Sequence, residues 1–142
     1  MKKIPITVLA MAGILFIAGC NTTNKETSKH TANISVSEGL NGRSLTIKEG
    51  DIFSIKLRGN PTTGYSWQLS SADKSILNLI EKKFIPEKKK KNIVGSGGTD
   101  IFIFEAVGSG KTDLKLIYAR SWEKYAKPAK TFNLKVMVEK AE

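Results

Sequence analysis

The sequence is nearly empty of the residue types that carry most enzyme chemistry. Its 142 positions hold one histidine and one cysteine. Without a second of either there is no Ser/His/Asp or Cys/His arrangement to build a nucleophile on. No cluster of His, Cys and carboxylates has the spacing of a metal site, and the acids are scattered singly rather than paired as in a glycosidase. An enzyme is therefore not expected, nor a metal or cofactor. A single cysteine also excludes an internal disulfide, so any fold must be held by its core alone. Beyond residue 20 there is no long apolar run, no internal repeat and no segment with helical periodicity.

Charge of one sign dominates what is present. Lysine and arginine number 23 against 13 acids, a net charge of +10. Apolar residues make up 40% of the chain, enough for one core in a single domain and too many for a disordered chain. The N-terminus decides how the charge is read. Lys2 and Lys3 precede an apolar run from Ile4 to Ile17, too short to span a membrane and typical of a secretory signal. The run closes on Ile17-Ala18-Gly19-Cys20, which resembles the bacterial lipobox, in which the cysteine becomes the lipidated first residue after cleavage. An ordinary signal peptide with a chance cysteine at the cut is the alternative. Removing residues 1–19 takes Lys2 and Lys3 with it and lowers the net charge from +10 to +8. Export argues against nucleic acid as partner, and favours anionic lipid, wall polymer or an acidic protein. Residues 20–32 are polar and read as a flexible tether from lipidated Cys20. The lone His30 lies in this tether and is expected to be solvated. The domain is expected over 33–142.

From Asn33 on, short alternating runs are separated by turn signals. Strands are predicted around Ile34 and Val36, over Ser44–Lys48, Ile52–Leu57, Tyr65–Leu69, Ile76–Ile85, Thr99–Val107, Thr112–Tyr118 and Lys130–Glu139. Thr99–Val107 places Ile101 and Ile103 on one face and Phe102 and Phe104 on the other, as in a strand buried on both sides. Ser70–Lys74 reads as a turn or a single helical turn. This spacing predicts an all-β, antiparallel sandwich. In such a fold every second connection lies at the same end. Counting from Ile52, the connections 59–65, 86–98 and 119–129 share one end, so a function carried on loops sits there.

These three connections have unusual compositions. Asn60-Pro61-Thr62-Thr63-Gly64-Tyr65 is a rigid turn without charge. Pro61 presets φ, the threonines are stiff at χ1, and Gly64 can take a positive φ. Gly95-Ser96-Gly97-Gly98 is followed by a strand, whereas a phosphate-binding loop needs a strand before it and a helix after it. It reads either as a hinge or as backbone lying against another extended chain. Lys88 to Lys91 precedes it, as a solvated run or as steering charge toward an acidic partner. The third connection carries Arg120, Trp122 and Tyr125. Arginine and tryptophan are enriched at binding hot spots, although a loop tryptophan can also fold back over a core.

In this order, Asn60-Pro61-Thr62-Thr63-Gly64-Tyr65, Gly95-Ser96-Gly97-Gly98 and Arg120-Ser121-Trp122 resemble the three signature loops of the chagasin-type inhibitors of papain-like cysteine peptidases. The first match is complete. The second is correctly placed, and in the third Ser121 stands where proline is usual. The resemblance covers roughly Asn33 to Glu139. It implies an immunoglobulin-like β-sandwich that blocks a peptidase cleft reversibly. The 60–65 loop would enter beside the catalytic cysteine, Gly95–Gly98 would lie against one side of the cleft, and Trp122 would pack on the other. A monomer is expected, anchored at the cell envelope membrane through lipid on Cys20. The reading from a different class is an immunoglobulin-like envelope or adhesion module that uses the same loops for another protein or a surface polymer.

Overall fold

The computed structural model describes residues 34–88 and 97–142. The expectations for the signal segment, Cys20, the tether with His30, Lys89 to Lys91, Gly95 and Ser96 lie outside the described residues.

Among the described residues eight strands form two four-stranded sheets. They are β1 (Ile34–Ser37), β2 (Arg43–Lys48), β3 (Ile52–Gly59), β4 (Ser66–Ser71), β5 (Leu77–Pro86), β6 (Gly98–Ala106), β7 (Gly110–Ala119) and β8 (Lys130–Glu139). One sheet has the order β1-β3-β6-β5 and the other β2-β8-β7-β4. The sheets face each other as an immunoglobulin-like β-sandwich. Among the described residues helix is limited to two single 3-10 turns, Glu38–Leu40 and Pro61–Thr63.

Alternation explains the packing. Along β8, Phe132, Leu134, Val136 and Val138 are buried while the residues between them are exposed. The strand β6 is buried on both faces, as its sequence predicts. Phe102 and Phe104 join the core between the sheets, where Phe104 stacks on Phe53 at 5.4 Å between ring centroids, and Ile101 and Ile103 are 8% exposed on the outer face. Burying large aromatic and aliphatic side chains between two sheets supplies the stabilisation that a domain without disulfides requires.

Two features depart from a simple antiparallel reading. The short edge strands β1 and β2 pair in parallel, β1 with β3 and β2 with β8, and the other four pairs are antiparallel. The chain passes from one sheet to the other between β1 and β2 and again between β2 and β3. Each short strand therefore lands beside a strand running its own way. Second, β5 slips register between Leu79 and Glu81. A bulge reverses the alternation, so the positions paired with inward-facing Phe104 and Phe102 are Leu79 and then Lys82. The Lys82 ammonium lies 5.4 Å from the Phe102 ring centroid and donates to the carbonyl of Trp67 on β4, the facing edge strand. A charged side chain thus closes the open side between the two edges, a common way of blunting them.

The strand registers fix which loops are neighbours. Gly59 pairs with Gly98, Gly98 with Pro86, Ser66 with Ala119, and Tyr118 with Lys130. The three connections between these ends therefore emerge at one pole. The first residue of β1, Ile34, pairs with Phe53 near the start of β3, so the chain enters the sandwich at the opposite pole.

Candidate functional site

The 60–65 loop links the two sheets and is closed by its own side chains. Asn60 caps the Pro61–Thr63 turn. Its Oδ1 accepts from the Thr62 amide at 3.2 Å and from the Thr62 hydroxyl at 2.6 Å. The Thr63 hydroxyl donates to the Asn60 carbonyl at 2.7 Å. Proline suits the first position of such a turn, because its φ is preset and its missing amide hydrogen is not needed there. Gly64 ends the turn at φ +79°, a left-handed conformation that glycine takes without strain. Every residue from Asn60 to Gly64 is at least partly exposed and none is charged.

Tyr118, near the end of β7, holds the base of this loop. Its hydroxyl accepts from the Asn60 amide at 2.8 Å and donates to the Asn60 carbonyl at 3.3 Å. Its ring lies 5.5 Å from Tyr65, in a stacked arrangement, and 5.3 Å from Trp67, counted between centroids. Trp67 is 2% exposed and donates its indole N–H to the Arg58 carbonyl at 2.9 Å, so it is scaffold.

The third loop leans on the first. Arg120 donates through Nε to the Thr63 carbonyl at 3.3 Å, and its guanidinium carbon lies 4.5 Å from the Tyr65 centroid. Its Nη1 donates to Glu123 Oε1 at 3.0 Å, and this bond, first among several causes, holds the guanidinium pKa above its ordinary value. The Glu123 amide also donates to the Arg120 carbonyl at 3.1 Å. Ser121 thus sits within a turn closed by an ion pair and a backbone bond, which restrain the loop where proline is absent. Trp122 does not cap the core. It is 65% exposed, and its ring edge lies so near Gly64 that a Cβ added there would come within 2.5 Å of it.

Of the glycine segment, Gly97 and Gly98 are described. Their close backbone approaches are internal: a Cβ on Gly97 would come within 2.8 Å of the Gly59 carbonyl oxygen, and one on Gly98 would collide with the Ile85 carbonyl and the Phe84 ring. The lack of side chains here lets β6 start flush against β3 and β5, beside the 60–65 loop. The structure therefore brings Asn60, Pro61, Thr62, Thr63, Gly64, Tyr65, Gly97, Gly98, Arg120 and Trp122 to one pole.

Sequence reasoning passed over Tyr118, Asp100 and Phe84. The available signal was that Tyr118 is the last inward residue of its strand, and an inward tyrosine needs a partner for its hydroxyl. Asp100 faces inward from β6 and is 5% exposed. Burial pushes its carboxyl pKa up, and Lys82 opposes this. It lies at a cleft of about 280 Å³ under the loop, with Pro61, Tyr65, Ser66, Lys82 and Phe84. A larger cleft of about 410 Å³ opens on the outer face of the other sheet, among Ser44, Thr46, Lys111 and Met137. It contains no residue of the three loops. The braced, uncharged loop makes the loop pole the candidate site. Among the described residues no group of His, Cys, Asp and Glu could hold a metal ion.

Replacing Tyr118 with Phe removes both bonds to Asn60. The Y118F variant should lose about 1–2 kcal/mol in chemical denaturation and exchange the Asn60 amide faster, whereas an unchanged exchange rate would mean that the loop stands without this clamp. The second prediction concerns Asp100. A carboxyl with a raised folded pKa keeps its proton to higher pH in the folded than in the unfolded chain, so its contribution to stability falls as pH rises from near 4 through the folded value and then levels off. The D100N variant should therefore be the more stable protein at pH 7, with the difference shrinking as pH approaches 4. Denaturation midpoints across that range test this, and a less stable D100N at pH 7 would mean that the Lys82 attraction outweighs burial.

Comparison with known proteins agrees with this geometry. Residues 46–136 match the chagasin family peptidase inhibitor I42. The chain is 34% identical over 106 residues to amoebiasin-1 of Entamoeba histolytica, covering 75% of this chain and 100% of that protein. It is 33% identical over 91 residues to chagasin of Trypanosoma cruzi, covering 61% and 81%. Its fold is similar to the crystal structure of a cysteine protease inhibitor from Entamoeba histolytica, with a TM-score of 0.68, 26% identity, and coverage of 75% of this chain and 95% of that one. It is also similar to the solution structure of amebosin, at a TM-score of 0.62 and 34% identity, covering 75% and 97%. The matched family and the crystal structure are of peptidase inhibitors, and the chain belongs to the chagasin family of peptidase inhibitors.

Proposed function

We propose that this protein reversibly inhibits papain-like cysteine peptidases by filling the active-site cleft with the three loops of one pole. The observation that carries this reading is the 60–65 loop: narrow at Thr62, Thr63 and Gly64, free of charge, and held at its base by Tyr118. A braced loop loses little freedom on binding. With no charged group at its tip, none must be stripped of water inside a slot. Its turn conformation supports resistance to cleavage, since curled peptide bonds do not present an extended substrate to the nucleophile. In this reading Asn60 to Tyr65 form the wedge, Gly95 to Gly98 lie on one side, and Arg120 and Trp122 flank the other.

The proposal extends to the N-terminus: residues 1–19 are a cleaved signal, Cys20 is lipidated, and residues 20–32 tether the domain to the membrane of the cell envelope. The entry of the chain at the pole opposite the loops supports it. Thirteen residues reach at most about 45 Å when extended, and from that pole they would leave the loops facing away from the membrane.

Titrating the purified protein against papain and reading residual activity tests the inhibitor. Inhibition is expected, and none at micromolar concentration would leave the envelope or adhesion module as the better reading. The W122A variant should weaken inhibition by about 1–4 kcal/mol, as expected for a truncated hot spot, and an unchanged inhibition constant would remove Trp122 from the contact. The C20A variant should leave the membrane fraction for the soluble one, whereas continued partitioning with membranes would refute lipid attachment at Cys20.

A further inference from the structure

We propose that the loop pole is built for a peptidase whose cleft is rimmed by acidic side chains, an inference that rests on the inhibitor reading and narrows its partner. Among the described residues the acids at this pole are engaged or buried. Glu38 Oε1 accepts from the Arg58 amide at 2.8 Å. Glu87 Oε1 lies 2.8 Å from Arg58 Nη2, Glu123 Oε1 lies 3.0 Å from Arg120 Nη1, and Asp100 is buried. The lysines are not. Lys88, Lys124 and Lys127 are exposed, and none of them is in an ion pair among the described residues. They flank the same loops that would enter the cleft, Lys88 after β5 and the other two in the loop of Arg120 and Trp122. The opposite pole has the reverse character. Glu49 and Asp51 fill the β2–β3 turn, Glu105 lies near the end of β6 and Glu139 ends β8, and acids outnumber bases there.

Charge on the rim of a contact is solvated and adds little to the lifetime of a complex. Its effect is on encounter, because a field of one sign over the docking face raises the association rate toward a partner of the opposite sign and is screened by salt. An uncharged wedge with a basic rim therefore separates two tasks. The tip fits any cleft of the right width, and the rim selects among peptidases by surface charge.

The test compares papain with papain succinylated on its surface lysines, which replaces positive charges with carboxylates and leaves the cleft the same. Both forms are normalised by active-site titration. Association and dissociation rates of the purified protein are followed from about 20 to 300 mM salt. At low salt the succinylated form should associate at least about tenfold faster, and high salt should remove the advantage. The variant K88E/K124E/K127E should lose the advantage while its dissociation rate and melting temperature stay near those of the parent. The control K48E/K74E/K111E makes the same change in net charge at the opposite pole and should keep most of it. Equal association rates for both forms at every salt concentration would overturn the inference, as would equal losses in the two variants. Failure to inhibit either form would instead remove the inhibitor function, and this inference with it.

Discussion

The hydroxyl of Tyr118 meets both backbone polar groups of Asn60, and the order of the loop pole depends on that contact. The 60–65 loop is one of the links between the two sheets, from β3 in one to β4 in the other. An inter-sheet link has no ladder of its own to fix it. Tyr118 supplies the missing partner from β7, beside Trp67 in the register of the β4–β7 pair. The clamp therefore exists only when β4 and β7 pair correctly and the two sheets pack at the right separation. Formation of the core and the posture of the loop are one event, which is why a short turn can be rigid without a disulfide.

The three loops also brace one another. Trp122 lies on Gly64, Arg120 reaches the Thr63 carbonyl and the Tyr65 ring, and Gly97 leaves room for the Gly59 carbonyl. Several residues that attract attention as contact residues thus have a second task inside the chain. Gly97 and Gly98 are needed for close packing of β6 against its neighbours, whatever they touch in a partner. Arg120 likewise belongs to the support of the 60–65 loop as much as to the surface of the pole. The absence of proline at position 121 is offset locally, because Glu123 closes the turn through both its carboxylate and its amide.

The molecule is polar from end to end. The loop pole carries exposed lysines and an uncharged tip, and the opposite pole carries most of the free acids and receives the chain from residue 34. The bulge in β5 contributes to this order. By reversing the alternation it turns Lys82 inward, where it satisfies the Trp67 carbonyl on an exposed edge and offsets part of the cost of burying Asp100.

Much of this was determined by the sequence alone, because its rules act over short distances. Alternation of apolar residues specifies strands and their buried faces, as in β8 and the doubly buried β6. Strand parity is enough to bring three loops to one end, and the Asn-Pro-Thr-Thr-Gly turn is set by the φ preferences of its own residues. Single histidine and cysteine residues exclude most catalytic arrangements outright. Other features depend on contacts between residues far apart in the chain, and these only the tertiary structure decided. The parallel pairing of β1 and β2 follows from which sheet edge each strand reaches. The inward turn of Lys82 follows from a register slip that periodicity cannot locate. The Tyr118 clamp joins residues 58 positions apart. The burial of Asp100 follows from its place on the inner face of β6 under the loop. Trp122 leans on Gly64 because two loops, separate in sequence, leave the sandwich side by side.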